Sequence, residues 1–317
     1  MVTIINFSSR KNGNSLHIAN VCKDNFEQSI VYNLSENDYH KCGNCNYECL
    51  QKEKCPVNDN LYKLYESIFD SELVIFIVPN YSEFPCANYF IFNERLRGYF
   101  STDECLYKKY TKINKKFIVV TNTQNNNFEV AFKYHVDKHK VPDILYMSSK
   151  KFKQSSISGS LMENDDAKNV VIDFIKDEYV CERSAMAIVF YQDKLLVTNE
   201  EIYGRLTISL PKGHIENDET TVETAMRECF EETGVKLKRR HFITELEPFE
   251  IRFINHYNKL VKKAIYPIVF ELHNFVRPYS IEKRIKEIKY MPIFEFMDKG
   301  TYDNIKEIVK IAMTKRG

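Results

Sequence analysis

The chain has 317 residues, with 45 Lys and Arg against 44 Asp and Glu, a formal net charge of +1 at pH 7. That length exceeds what one hydrophobic core commonly serves and predicts two domains of about 150 residues. The balance of mixed charges excludes an electrostatic argument for a nucleic-acid or membrane partner, and neither is expected.

The opening MVTIINFSS turns polar too early for a secretion signal, and no apolar run approaches the roughly 18 residues of a spanning helix. A cytoplasmic placement is therefore expected. In such a compartment the nine cysteines are free thiols or metal ligands rather than disulfides.

In chain order, residues 2–7 read as an apolar strand, SSRKNGNS as a polar loop, and SLHIANVC as the start of an amphipathic helix. A strand, a loop rich in hydroxyls and amides, and a helix start form a phosphate cradle, because the helix N-terminus presents unpaired N–H groups and partial positive charge. Candidate donors are Ser8, Ser9, Arg10, Asn12, Asn14 and Ser15. Further strands are expected at 28–33, 73–78, 116–121 and 144–147, with helices near 60–70, 86–98 and 127–139. This alternation predicts an α/β domain with a parallel sheet and ligand loops at the strand carboxyl ends, Pro79-Asn80-Tyr81-Ser82 among them.

Between the second strand and the next helix lie Cys42, Cys45, Cys49 and Cys55, the last followed by Pro56. Four thiolates so spaced can ligate an iron-sulfur cluster or zinc, or remain unligated.

SSRKNGNS after the first strand, together with VPNYSEFPCANYFIFNER, resembles the flavodoxin-like NADPH-dependent FMN reductase family over residues 1 to about 165. The resemblance implies a flavodoxin-like fold, with Ser8, Arg10, Asn14 and Ser15 on the FMN phosphate and Pro79, Asn80, Tyr81 and Ser82 on the flavin ring. It also implies NAD(P)H as reductant and a possible homodimer. The third loop of the family corresponds to 121–127, TNTQNNN, and its iron-sulfur flavoproteins carry a cysteine quartet in the segment of Cys42 to Cys55. An alternative is a scaffold that no longer binds flavin.

Ala167 to Lys176 reads as a helix closing this domain, so residues 1–176 and 177–317 are expected as the two domains. Ser184 to Tyr191 and Lys194 to Thr198 flank Gln192-Asp193 as a hairpin. From Gly213 to Val235 the chain reads GHIENDETTVETAMRECFEETGV. Val222, Ala225, Met226, Cys229 and Phe230 recur at helical spacing, and Gly234 supplies the exit. Glu228, Glu231 and Glu232, at i, i+3 and i+4, share one helical face near the negative end of the helix, where each charge costs about 0.3 to 1 kcal/mol. A divalent cation converts that repulsion into binding.

Gly213, Glu219, Arg227-Glu228, Glu231-Glu232 and Gly234 stand at the spacing of the Nudix box, so residues 180–317 resemble a Nudix hydrolase domain, an α/β/α sandwich. The resemblance implies Mg2+ or Mn2+ held by Glu228 and Glu232, with Glu231 a further ligand or water-polarising base, the Gly213 carbonyl a ligand, and Arg227 an orienting salt bridge. Leu210-Pro211-Lys212-Gly213-His214 resembles members acting on dinucleoside polyphosphates or nucleoside triphosphates, which makes Lys212, His214 and the strand residue Tyr266 candidate contacts to a small nucleotide substrate. The expected function is hydrolysis of a phosphoanhydride in such a substrate or in an NADH- or FAD-like one, fused to a flavin-binding oxidoreductase domain. The alternatives are a flavin or quinone reductase with an accessory Nudix domain, and a nucleotide-sensing protein.

Overall fold

The computed structural model describes residues 1–36, 39–43, 45–51, 55–57, 59–100, 104–123, 127–202, 205–216, 218–279 and 284–316. The chain divides into two compact units, Met1–Tyr179 with Ile254–Leu260, and Val180–Phe253 with Val261–Gly317. Among the described residues no helix is long and apolar enough to cross a membrane.

The first unit contains β1 (Val2–Asn6), α1 (Asn14–Asp24), β2 (Ser29–Asn33), α2 (Glu48–Gln51), α3 (Leu61–Phe69), β3 (Leu73–Tyr81), β4 (Phe84–Pro85), α4 (Ala87–Phe100), α5 (Glu104–Lys112), β5 (Asn114–Val120), α6 (Asn127–Phe132), β6 (Asp143–Met147) and α7 (Asp165–Ile175). Five strands pair in parallel in the order β2-β1-β3-β5-β6, with β4 folded back on β3. Because successive side chains alternate across a strand, β3 sends Leu73, Ile75 and Ile77 to one face, where α1 and α7 pack. Val74, Phe76 and Val78 go to the other, against α3 and α4. Burial on both faces is why this strand reads as a continuous apolar run.

Two local expectations change. The helix expected over 127–139 ends at Phe132 and passes through one 3-10 turn, Lys133–His135. There His135 is buried between the hydroxyls of Tyr89 (2.8 Å) and Tyr110 (2.6 Å), so the chain gives up helical geometry to bring a polar ring to its partners. The loop after β3 is a tight hairpin: Asn80 pairs with Pro85 and Tyr81 with Phe84, leaving Ser82 and Glu83 at φ 52° and 70°. Two left-handed residues match a two-residue hairpin, at a cost of about 1–2 kcal/mol each without glycine.

The second unit contains β7 (Val180–Tyr191), β8 (Lys194–Ile202), β9 (Arg205–Ser209), β10 (Lys212–His214), α8 (Thr221–Thr233), β11 (Phe242–Glu245), β12 (Phe249–Ile254), β13 (Leu260–Leu272), β14 (Ile285–Pro292), α9 (Ile293–Lys299) and α10 (Asp303–Met313). The mixed sheet runs β11-β13-β7-β8-β14, with β10 on β7, β12 on β13 and β9 on β8. Strands β7 and β13 are parallel over their full pairing, and β7 and β8 form the expected hairpin. Ala185, Ala187 and Val189 of β7 face Ala225 and Cys229 of α8, while Met186, Ile188 and Phe190 share the opposite core with Phe296, Ile305 and Val309 of α9 and α10. This is an α/β/α sandwich. Small alanines on the α8 side let the helix approach the sheet closely.

Helix α8 is capped at both ends. The Thr220 hydroxyl accepts from the Glu223 N–H (3.2 Å) and the Glu223 carboxylate accepts from the Thr220 N–H (3.0 Å), a capping box. At the other end Gly234 sits at φ 69°, and a Cβ there would stand 2.4 Å from the Tyr279 ring. Left-handed strain adds to displacement of the exposed Tyr279 ring, so Gly234→Ala is expected to destabilise this unit by about 1–2 kcal/mol, read as a lower denaturant midpoint. An unchanged midpoint refutes the packing described.

Candidate active site

Helix α8 and strand β10 build the site. The α8 spacing places Glu228, Glu231 and Glu232 on the side facing β10, and Gly213 at the centre of β10 lies against Glu228: a Cβ on Gly213 would stand 1.9 Å from the Glu228 carboxyl carbon. Only glycine lets that carboxylate lie against the strand.

Arg227 binds this face together. Its Nε and Nη2 donate to the two oxygens of Glu219 (both 2.8 Å), Nη1 donates to Glu228 (2.7 Å) and Glu231 (2.9 Å), and Nη2 also donates to the His214 carbonyl (2.9 Å). Those bonds hold the Glu219 carboxyl down at about 2, and the Arg227 guanidinium is correspondingly raised. Arg227 therefore works within the protein.

Glu232 is the buried member, its side chain 1 % exposed. One oxygen accepts from Arg284 Nη2 at 2.7 Å and the other from the Lys212 N–H at 3.3 Å. Burial pushes its carboxyl up to about 8, against the opposing pull of Lys212 and Arg284, and Glu200 raises it further. Glu200 on β8 is itself buried, 4.0 Å from Arg284 Nη1, and its Oε1 has no hydrogen-bond partner among the described residues.

The candidate substrate residues lie nearby. Lys212 Nζ donates to Ser209 Oγ at 3.3 Å. His214 Nε2 lies 2.9 Å from Glu182 and 3.1 Å from Lys263 Nζ, and Glu182 pairs with Lys263 at 2.8 Å. The Arg183 guanidinium stacks 5.2 Å over the Tyr266 ring. Glu271, at the far end of the same strand, pairs instead with Arg316 at 2.5 Å.

In the first unit, Ser8, Arg10, Asn14, Ser15, Pro79, Asn80, Tyr81 and Ser82 all line one cavity of about 300 Å³. Ser8 Oγ accepts from the Arg10 N–H at 3.1 Å, and Asn80 Nδ2 donates to Thr121 and Thr123 (2.7 and 3.2 Å). Asn14 departs from its expected role. Its side-chain oxygen accepts from the Leu161 N–H (3.0 Å) and its Nδ2 donates to the Ser155 carbonyl (3.5 Å), so the amide braces two loops instead of standing ready for a phosphate. Of the loop over 121–127, Gln124, Asn125 and Asn126 lie outside the described residues.

Among the described residues no group of three or more His, Cys, Asp or Glu side chains is arranged to hold a metal ion. Nothing among the described residues therefore supports a cluster or zinc at the expected cysteine quartet. Cys42, Cys45, Cys49 and Cys55 are close enough for the other three to raise the Cys42 thiol, after the larger effect of burial. Cys55, however, lies 3.7 Å from an Arg95 nitrogen, and Cys49 lies against Gly98 of α4, so each sulfur packs on α4 while Cys42 is exposed.

In the expected set of Gly213, Glu228, Glu231 and Glu232, the three carboxylates are engaged by guanidinium groups. Their chemistry fits a divalent ion: hard carboxylate oxygens surround positive charge, and Glu200 keeps a buried oxygen with no hydrogen-bond partner among the described residues. Glu200 and Arg284 were missed from sequence because they lie outside the box.

A NUDIX domain model matches residues 182–310. Phosphatase NudJ of Escherichia coli (strain K12) is 46% identical over 56 residues, which are 18% of this chain and 37% of that protein. The chain thus spans little more than a third of the length of the curated relatives it matches. A NUDIX hydrolase from Nitrosomonas europaea aligns at 20% identity and TM-score 0.34 over 43% of this chain and 92% of its own. A C. elegans Ap4A hydrolase binary complex aligns at 15% identity and TM-score 0.34 over 41% and 93%. With the box residues gathered on α8 and β10, residues 182–310 of this chain are a NUDIX domain.

Proposed function

We propose that the second unit is a pyrophosphohydrolase that cleaves the phosphoanhydride of a small nucleoside diphosphate-linked substrate. The observation that carries this reading is the set of carboxylates gathered on one face of α8 over Gly213, with Glu232 buried and the ensemble bound by two guanidinium groups. Glu228 and Glu232 would hold Mg2+ or Mn2+, with Glu231 a further ligand or the group that polarises water. When bound, the ion neutralises phosphoryl oxygens and acidifies a water molecule.

The protein's own residues do the rest. Arg227 fixes the carboxylates, Lys212 and His214 present positive charge and hydrogen-bonding capacity toward phosphate, and Tyr266 offers an aromatic face to a base. The test is a magnesium-dependent hydrolysis panel of diadenosine polyphosphates, nucleoside triphosphates, NADH and FAD. Turnover of at least one compound is expected. Tight nucleotide binding without turnover would favour a sensor instead.

We further propose that residues 1–176 form a flavodoxin-like domain binding FMN, beside a second domain of residues 177–317. Two observations favour this: the strand order β2-β1-β3-β5-β6, with helices on both faces, and the single cavity lined by the Ser8 and Pro79 loops. Ser8, Arg10 and Ser15 would meet the phosphate, with Asn14 as a brace, and Pro79 to Ser82 the ring. Titrating the full-length protein with FMN checks it: quenching of flavin fluorescence that Arg10→Ala weakens by about tenfold is expected, in line with loss of one charge-assisted bond. An unquenched titration refutes FMN binding.

A further inference from the structure

Arg284 stands immediately before β14, its side chain 55 % exposed and Nη2 donating at 2.7 Å to the nearly fully buried Glu232. Its Nη1 lies 4.0 Å from Glu200, whose side chain is 9 % exposed and whose Oε1 is buried with no hydrogen-bond partner among the described residues. Among the described residues, two buried carboxylates here share the Arg284 guanidinium, on a side chain with access to solvent, while the Lys212 charge also acts on Glu232.

Two carboxylates close together and removed from water need close to two positive charges. Lys212 and the Arg284 fork both serve Glu232, and the fork reaches Glu200 only at long range, so Glu200 is the carboxylate left short of a partner. A divalent ion matches the pair in charge and offers the open Glu200 oxygen a partner. The carboxylates are fixed by strand β8 and helix α8, so the exposed arginine is the part able to leave.

We propose that Arg284 is a resident counter-cation of Glu200 and Glu232, which a divalent metal displaces on binding. This rests on the metal-dependent reading above and adds two residues to it: Glu200 as a ligand outside the box and Arg284 as a competitor built into the chain. Metal affinity is thereby set lower than the carboxylates alone would give, and metal entry releases a guanidinium at the edge of the site.

The experiment is Mn2+ binding to the full-length protein, followed by electron paramagnetic resonance of free Mn2+ and by calorimetry. Arg284→Ala is expected to bind Mn2+ about tenfold more tightly than the unmodified chain, which corresponds to about 1.4 kcal/mol. Arg284→Lys should restore much of the competition, and Glu200→Gln should weaken binding. Unchanged or weaker binding by Arg284→Ala overturns the proposal. Glu232→Gln separates it from the reading beneath: if the unmodified chain and Glu232→Gln bind Mn2+ equally, the metal site itself is wrong.

Should Arg284→Ala not fold, modification of the unmodified chain by phenylglyoxal, with Arg284 followed by peptide mass spectrometry, gives the answer. Faster modification of Arg284 in Mg2+ is expected. An equal or slower rate overturns the displacement.

Discussion

Glu232→Gln is expected to lower magnesium-dependent hydrolysis by about 10²- to 10⁴-fold, the range spanned by loss of a single catalytic acid, base or charge-stabilising group. The same substitution should stabilise the metal-free fold at high pH. The folded carboxyl is raised to about 8 by burial, whereas an unfolded glutamate titrates near 4.3. Below the unfolded value both states are protonated and the charge imposes no cost. As pH rises from there toward 8 the unfolded chain ionises first, and stability falls by at most about 1.4 kcal/mol per pH unit.

Glutamine removes that loss, so melting curves in a chelator should separate progressively between pH 5 and pH 8 and hold that separation above it, the variant melting higher. Replacement of the Arg284 ion pair by a neutral hydrogen bond reduces the gain. Near-normal turnover would defeat the catalytic assignment. A separation that narrows as pH rises would defeat the account of burial.

Gly213→Ala should produce nearly as large a loss of activity with little loss of fold. The added Cβ would stand 1.9 Å from the Glu228 carboxyl carbon, and 2.0 and 2.1 Å from its two oxygens. Those atoms are the far end of a long side chain, held by Arg227 at 2.7 Å, and they can give way by giving up that bond without moving the backbone. The fold therefore survives and the carboxylate does not keep its place. Displacement of a catalytic group by about an ångström costs on the order of 100-fold in rate. The check is turnover beside circular dichroism and melting temperature. Full activity would show that Glu228 need not lie against β10, and an unfolded variant would show that Gly213 serves packing instead.

Much of the candidate site was legible because its determinants are local. Glu228, Glu231 and Glu232 share a face through helical periodicity, Arg227 reaches Glu231 as an i, i+4 pair at 2.9 Å, and Gly234 ends the helix through a backbone conformation that other residues resist. The eight residues chosen from two loops of the first half line one cavity, because loops at the carboxyl ends of adjacent parallel strands must meet. The cysteine cluster was less legible. Its spacing allows four sulfurs to converge, but packing against α4 decides where Cys49 and Cys55 lie.

By itself the sequence determined the alternation of strands and helices, the position and caps of α8, and the NUDIX character of residues 182–310, all of which depend on contacts within one turn, one hairpin or one fixed motif. Tertiary structure alone decided which carboxylates are buried and what neutralises them. Arg284 reaches Glu232 across 52 positions, and Glu200 joins them from a strand whose pattern gives no sign of a binding role. The physical reason is that burial is a property of the assembled layers. A charge takes its pKa and its partner from whatever the fold brings beside it, and sequence spacing carries no record of that neighbour.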